Sequence, residues 1–191
     1  MAKGISWNKW KNNDLVSLKL RDDLYTIGQM LTRPAMRFYK ISSHDGKWKN
    51  IDLNHIEPLF QVFIGQIVLQ KLVAAKIEDE TVIPSDAPYQ RYWIKPHLNP
   101  GIGSYPFKGG KLVDLGPEGA VGTTVAPVIK QNLSVAQDRE TIEKYELTGV
   151  WGDDHLGDRL RHYFDTGEDY NPGKEKVFPE LRSDGASHQS L

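Results

Sequence analysis

Two short segments with apolar residues at alternate positions are the feature that most limits what this chain can fold into. Asp14–Leu20 reads DLVSLKL and Leu24–Leu31 reads LYTIGQML, with three polar residues between them. A period of two is typical of half-buried strands, and so short a connection joins antiparallel neighbours. The pair therefore predicts a β-hairpin, in which Gly28 marks a bulge or a close approach of the backbone.

Further strands and two helices are predicted along the chain. Four more strands are predicted at residues 37–42, 60–69, 89–94 and 111–115, and helices at residues 134–145 and 153–165. In the second helix, Leu156, Leu160, Tyr163 and Phe164 recur at helical spacing and form one apolar face. The sequence thus predicts an α+β fold, mainly antiparallel β, with a curved, small-barrel-like sheet and one or two packed helices.

The length of 191 residues suits one domain, or one domain with an appendage. We expect a single β-rich globular domain over residues 1–173, with a subdivision near residues 96–127 as the alternative, because that stretch is rich in proline and glycine. Residues 174–191 offer little to bury and are expected to form a poorly ordered tail.

The amino-acid composition limits the cellular compartment and the kinds of chemistry that we expect for this chain. The chain has no cysteine, so disulfides, cysteine metal sites and thiol catalysis are excluded. The N-terminus shows no apolar stretch of signal-peptide length, and polar residues interrupt the most apolar segment, Leu59–Ile77. These features favour a soluble, cytoplasmic protein that does not enter a membrane.

The sequence contains none of the familiar spacings of catalytic or metal-binding residues. His155 and His162 share a predicted helix but stand seven residues apart, about 10 Å along its axis, which is too far for one metal ion. The glycines of residues 101–122 match neither a dinucleotide nor a phosphate-binding loop. We therefore expect no enzyme, no catalytic residues, no cofactor and no metal site. An active site built from scattered residues, such as His97 with a carboxylate of the helix, is the competing hypothesis.

The net charge of −1 conceals an uneven distribution. Residues 1–50 contain ten Lys or Arg and four Asp or Glu, whereas the other 141 contain 14 and 21. The basic half also carries aromatic residues, and lysines interleaved with aromatics can hold single-stranded nucleic acid. The residues concerned are Trp7, Lys9, Trp10, Lys11, Arg37, Tyr39, Lys47, Trp48 and Lys49. The simpler interpretation is that the aromatics pack on the sheet and the lysines keep that face soluble.

The segment DLVSLKLRDDLYTIGQML, residues 14–31, resembles the opening of the immunity protein 26 family. That family begins with an apolar hairpin with a charged turn and an aromatic-plus-glycine second strand, matched here by Tyr25 and Gly28. The similarity continues through Pro58–Ile64 and Arg91–Ile94 and covers residues 14–95. It does not extend to the second half of the chain.

The resemblance implies a bacterial immunity protein, which protects its cell by binding the C-terminal domain of a cognate toxin, for example one delivered in contact-dependent growth inhibition. It carries over no catalytic residues, and the usual partners include nucleases. Because a nuclease cleft is commonly basic, an acidic face is the expected contact surface. The predicted partner-binding residues are Trp151, Asp153, Asp154, Asp158, Asp165, Glu168, Asp169 and Tyr170. The alternative function is a nucleic-acid-binding small barrel that uses the basic, aromatic N-terminal half; nucleic acid is otherwise not an expected partner.

Overall fold

The computed structural model describes residues 7–97 and 108–182. Within these ranges, 3-10 turns occupy Trp7–Lys9, Leu53–His55, Pro117–Gly119 and Pro179–Arg182. The strands and helices are, in chain order, β1 (Leu15–Arg21), β2 (Leu24–Met30), β3 (Ala35–Ser43), β4 (Ile51–Asp52), β5 (Pro58–Ile64), α1 (Gln66–Lys71), β6 (Val73–Ile77), β7 (Val82–Ile83), β8 (Tyr92–Pro96), β9 (Gly110–Asp114), β10 (Val128–Leu133), α2 (Val135–Lys144), β11 (Val150–Trp151), α3 (Asp153–Thr166) and α4 (Pro172–Val177).

The contacts divide the chain into two compact units. The first comprises residues 1–89 and 149–170, and the second comprises residues 90–148 and 171–191. The single cooperative domain over residues 1–173 stays a prediction. Of the predicted tail, residues 174–182 contain the end of α4 and a 3-10 turn, with Val177 and Phe178 buried, and residues 183–191 lie outside the described residues.

The first unit contains a six-stranded sheet in the order β11-β5-β3-β2-β1-β6. All its pairings are antiparallel except the short parallel pair β11–β5. The register shifts along β1–β2, β1–β6, β2–β3 and β3–β5, and such bulges increase the local twist. The sheet accordingly curls into a half-barrel, which confirms the predicted α+β class with a curved, mainly antiparallel sheet.

Both faces of this sheet bury apolar side chains. On one face, Val16, Leu18, Phe38 and Val62 form a cluster with residues of α1 and α3. On the other face, Leu15, Ile27 and Tyr39 pack with Trp48, Leu53 and Val82 from the connections that cross it. Alternation along a strand sends neighbouring residues to opposite faces, so β1, β2 and β3 each contribute to both clusters.

The predicted strand over residues 60–69 is wrong in its second half. The strand ends at Ile64, and after Gly65 the chain turns into α1, which buries Val68 and Leu69. An unbroken apolar run fits a buried strand or a buried helix equally well, and only the packing of these residues against the sheet distinguishes the two.

The second unit contains the three-stranded antiparallel sheet β10-β9-β8. Its core joins Ile94 and Leu133 to Ile142 of α2 and to Val177 and Phe178 at the end of α4. The predicted strands over residues 89–94 and 111–115 correspond to β8 and β9, and the helix over 134–145 corresponds to α2. Among the described residues, no helix has the length and apolar character that a membrane span requires.

Gly28 occupies a position where the sheet leaves no room for a side chain. A Cβ atom there would lie 2.6 Å from Met36 Sδ and 2.9 Å from Leu18 Cδ1, and the β2–β3 register shifts beside it. The sequence-based expectation of a bulge and a close approach at this glycine is confirmed.

We predict that Gly28→Val lowers the free energy of unfolding by about 1–3 kcal/mol, because the added methyl groups overpack a filled core. Urea denaturation checks this value. Gly149→Ala is the matched control, since a Cβ at Gly149 meets nothing within 4 Å. Equal stability of the two variants would contradict the close approach.

Candidate functional site

Helix α3 carries most of the predicted partner-binding residues. It begins after Gly152 and ends at Gly167, whose φ of 79° is left-handed and whose N–H donates to Tyr163 O at 2.7 Å. Leu156 and Leu160 are fully buried in the first cluster, and Phe164 packs against it. The predicted apolar face is therefore confirmed for these three residues, and the opposite face of the helix is left exposed.

The structure brings the eight predicted residues into one continuous stretch of the first unit. Trp151 and Asp153 are half-buried, and the others are exposed. Gly152 is the N-cap of α3, and Asp153 is its first helical residue. We use the name α3 surface for the exposed side chains of Asp154, Asp158, Asp165, Glu168 and Tyr170.

Four of the six predicted carboxylates, Asp153, Asp158, Asp165 and Asp169, have a cationic partner. Lys71 Nζ lies 3.1 Å from Asp153, Arg161 NH2 lies 2.6 Å from Asp158, and Arg21 NH1 lies 2.8 Å from Asp165. The hydrogen bond from Lys71 is the main reason that the pKa of Asp153 falls below its usual value. The surface is consequently less negative than a count of its acidic residues indicates.

Two carboxylates differ from the rest. Asp154 and Glu168 are exposed and form no ion pair within the part of the chain that the structure describes. Tyr170 follows Glu168 closely, is 41% exposed, and places its ring 5.9 Å from that of His162. Asp154 and Glu168 are therefore the carboxylates of the α3 surface most available to a partner, with the partly exposed Tyr170 ring beside them.

Asp169 and Trp151 both contact Arg159, a residue that is not among the predicted site residues. The Arg159 side chain is 1% exposed and donates from Nε and NH2 to the two oxygens of Asp169, each at 2.7 Å. Its guanidinium carbon lies 3.8 Å from the centroid of the Phe60 ring and 5.0 Å from that of Trp151. A bidentate ion pair stacked on aromatic rings holds the loop after α3 against the sheet.

A signal for this role was present in the sequence. Arg159 lies three residues after Leu156 and directly before Leu160, so helical spacing places it on the buried face. A charged residue in an acid-rich segment is normally expected to be exposed to solvent, so the sequence alone does not indicate that Arg159 is buried.

Comparison with family models decides the family. Residues 6–183 match the model described as "Domain of unknown function (DUF8309)". The chain belongs to this family. Searches of curated proteins and of solved structures gave no match.

The basic, aromatic cluster of the DUF8309 chain is divided between core and surface. Tyr39 is fully buried, Trp48 is 6% exposed and donates to Ser17 Oγ, and Trp10 donates to Leu31 O at 2.7 Å. The buried rings of Tyr39 and Trp48 cannot stack on bases, whereas Trp10 is half-buried. Lys9, Lys11, Lys47 and Lys49 are exposed, as the simpler interpretation expects, and the side chain of Trp7 lies outside the described residues.

Arg37 belongs to that cluster and is also buried. Its guanidinium donates to Ala87 O at 2.9 Å, to Pro88 O at 2.6 Å and to Gln61 Oε1 at 3.2 Å. It thereby ties the segment before β8 to the sheet, instead of offering a charge to phosphate. Among the described residues, no group of three His, Asp or Glu side chains is arranged to hold a metal ion.

We predict that Arg159→Met destabilises the protein by about 3 kcal/mol, because it removes the bidentate pair and leaves Asp169 without its counter-charge. Arg159→Lys should recover only part of the loss, since an ammonium lacks the planar fork. Chemical denaturation followed by tryptophan fluorescence measures both. A loss below about 0.5 kcal/mol, the level of an ordinary surface change, would contradict the structural role.

Asp153 should contribute to the pH dependence of stability. Its folded pKa is below the unfolded value, so the contribution is complete above about pH 5 and disappears as the pH falls through the folded pKa. We predict that Asp153→Asn flattens the acid limb of the stability curve below about pH 5. Unfolding free energies between neutral and acidic pH test this. Asp154→Asn is the control on the same helical turn, and a parallel response of both variants would contradict the prediction.

Proposed function

We propose that this DUF8309 chain is a bacterial immunity-type protein that binds and neutralises the C-terminal domain of a cognate toxin in the cytoplasm, without catalysis of its own. One observation carries the proposal. Asp154 and Glu168, which form no ion pair among the described residues, lie on the same surface as the exposed ring of Tyr170. The resemblance of residues 14–95 to immunity protein 26 supports the same assignment.

The physical argument concerns a nuclease toxin. Such an enzyme must hold phosphates, so its cleft presents lysine and arginine side chains. Carboxylates that form no ion pair within the inhibitor can approach such a cleft without first giving up a partner, and they accelerate the encounter. An exposed tyrosine beside them supplies the large, rigid contact that dominates many protein interfaces.

The rigidity of the surface also favours recognition. α3 is fixed by Leu156 and Leu160 in the core, and the loop that bears Glu168 and Tyr170 is fixed by the Arg159–Asp169 pair. A surface held in place before binding loses less conformational entropy when the partner arrives. The buried residues of this segment therefore serve the proposed function indirectly.

The first test is co-expression with the toxin domain encoded immediately upstream of this chain. Cell survival together with co-purification of the two proteins is the expected result. Absence of protection, or of a toxin gene at that position, would contradict the proposal. A gel shift with single-stranded nucleic acid would then examine the alternative, in which the exposed lysines of the N-terminal half contact phosphates.

We further predict that the double variant Asp154→Lys/Glu168→Lys binds the toxin about tenfold or more weakly, because it sets like charges against a basic cleft. The loss should be larger at low salt, where screening is weaker. Titration calorimetry at two salt concentrations measures it.

The double variant Glu78→Lys/Glu80→Lys is the matched control. It makes the same change in net charge at exposed carboxylates between β6 and β7. Equal losses from the two double variants would assign the effect to net charge and would remove the α3 surface from the proposal.

A further inference from the structure

A groove in the second unit lies where β10 ends, α2 begins and α4 is followed by its 3-10 turn. Its volume is about 720 Å³, within the roughly 300–1,000 Å³ that is usual for sites that bind small molecules. More than half of the residues that line it are apolar, namely Leu133, Val135, Ala136, Val177, Phe178 and Pro179. An apolar molecule, or the apolar part of a larger one, therefore fits this groove.

The groove is held in place by the core of the second unit. Leu133, Val177 and Phe178 belong to that core, and each is at most 6% exposed. The N–H of Gly109 donates to Val177 O at 2.7 Å and joins the segment before β9 to the end of α4. A site that is fixed before binding loses little conformational entropy when its ligand enters.

The charged residues of the groove favour a negative ligand. Lys108 is exposed and forms no ion pair within the part of the chain that the structure describes. Arg139 donates from NH1 to Glu143 at 3.0 Å, and a guanidinium has five donors, so Arg139 can bind a ligand and Glu143 at the same time. Glu180 is the one acidic residue of the described lining. Two cations thus face one anion.

The start of α2 is already served from within the chain. Asp138 accepts a hydrogen bond from Ser134 N at 3.0 Å and another from Lys130 Nζ at 2.6 Å. Binding of a negative group at the groove is therefore assigned to the side chains of Lys108 and Arg139, and not to the helix terminus.

We propose that this groove binds an apolar molecule with a single carboxylate, such as a medium-chain fatty acid. The hydrocarbon chain lies against the apolar walls, where each methylene removed from water adds to the affinity. The carboxylate lies at Lys108 and Arg139, which supply charge-assisted hydrogen bonds. This binding does not depend on the proposed recognition of a toxin, so its failure would leave that function untouched.

Titration of the isotopically labelled full chain with decanoate tests the proposal. We expect saturable NMR shifts at the amides of Lys108, Val135, Ala136 and Val177, with half-saturation on the order of 1 mM, as suits a ligand of about a dozen non-hydrogen atoms. Acetate, which lacks the chain, and decyltrimethylammonium, which reverses the charge, are the control ligands. Equal shifts with either control, or none with decanoate, would overturn the proposal.

Filling the groove should abolish binding. Ala136 is exposed at the wall of the groove, so Ala136→Trp places a large ring there without disturbing the core. Ala120→Trp, at another exposed alanine of the same unit, is the matched control and should bind decanoate normally. Decanoate binding that survives Ala136→Trp would overturn the proposal.

Reversing the charge at the groove should weaken binding selectively. We expect Lys108→Glu to lower the affinity for decanoate about fivefold, because an attraction becomes a repulsion. Lys144→Glu makes the same change in net charge at an exposed residue at the other end of α2 and should have little effect. Glu180→Gln removes the one negative charge of the lining and should strengthen binding. Equal affinities of the Lys108 and Lys144 variants would overturn the proposal.

Two further outcomes would assign the groove to another occupant and would also overturn the proposal. Shifts of the same amides that follow protein concentration in the absence of decanoate would identify an interface between copies of the chain. Shifts that appear with the toxin domain and not with decanoate would identify a contact surface for that partner.

Discussion

The burial of one helix face against a curled sheet is the interaction on which the first unit depends. Leu156 and Leu160 enter a cluster built from β1, β2, β3 and β5, although β1 lies more than a hundred residues earlier in the chain. Removing so much apolar surface from water dominates the stability of a unit of this size. Because the helix is fixed in this way, its outer face and the loop after it become a rigid surface.

The charges of that surface illustrate why counting acidic residues is misleading. Asp165 is paired with Arg21, which lies 144 residues away in sequence, and Asp169 is paired with a buried arginine. An ion pair has almost no field at a distance, so such carboxylates attract a basic partner far less than free ones. The charge available for recognition is concentrated in Asp154 and Glu168, and the remaining carboxylates hold the surface together.

Buried arginines recur as the means by which connections are attached to the sheet. Arg159 holds the loop after α3 through a carboxylate and two aromatic rings, and Arg37 holds residues 87 and 88 through their carbonyl oxygens. The planar guanidinium suits both tasks because its donors diverge in a fixed plane.

The sequence by itself determined whatever depends on local periodicity. Alternation in residues 14–31 was sufficient for the β1–β2 hairpin and for the crowding at Gly28, and helical spacing was sufficient for the buried face of α3. Where a sequence pattern fitted two different structures, only the tertiary structure decided between them. It made residues 66–71 a helix, withdrew Tyr39 and Trp48 from the surface, and buried Arg159. The physical reason is that periodicity is written in neighbouring residues, whereas burial and ion pairing depend on partners that are distant in sequence and meet only in the folded chain.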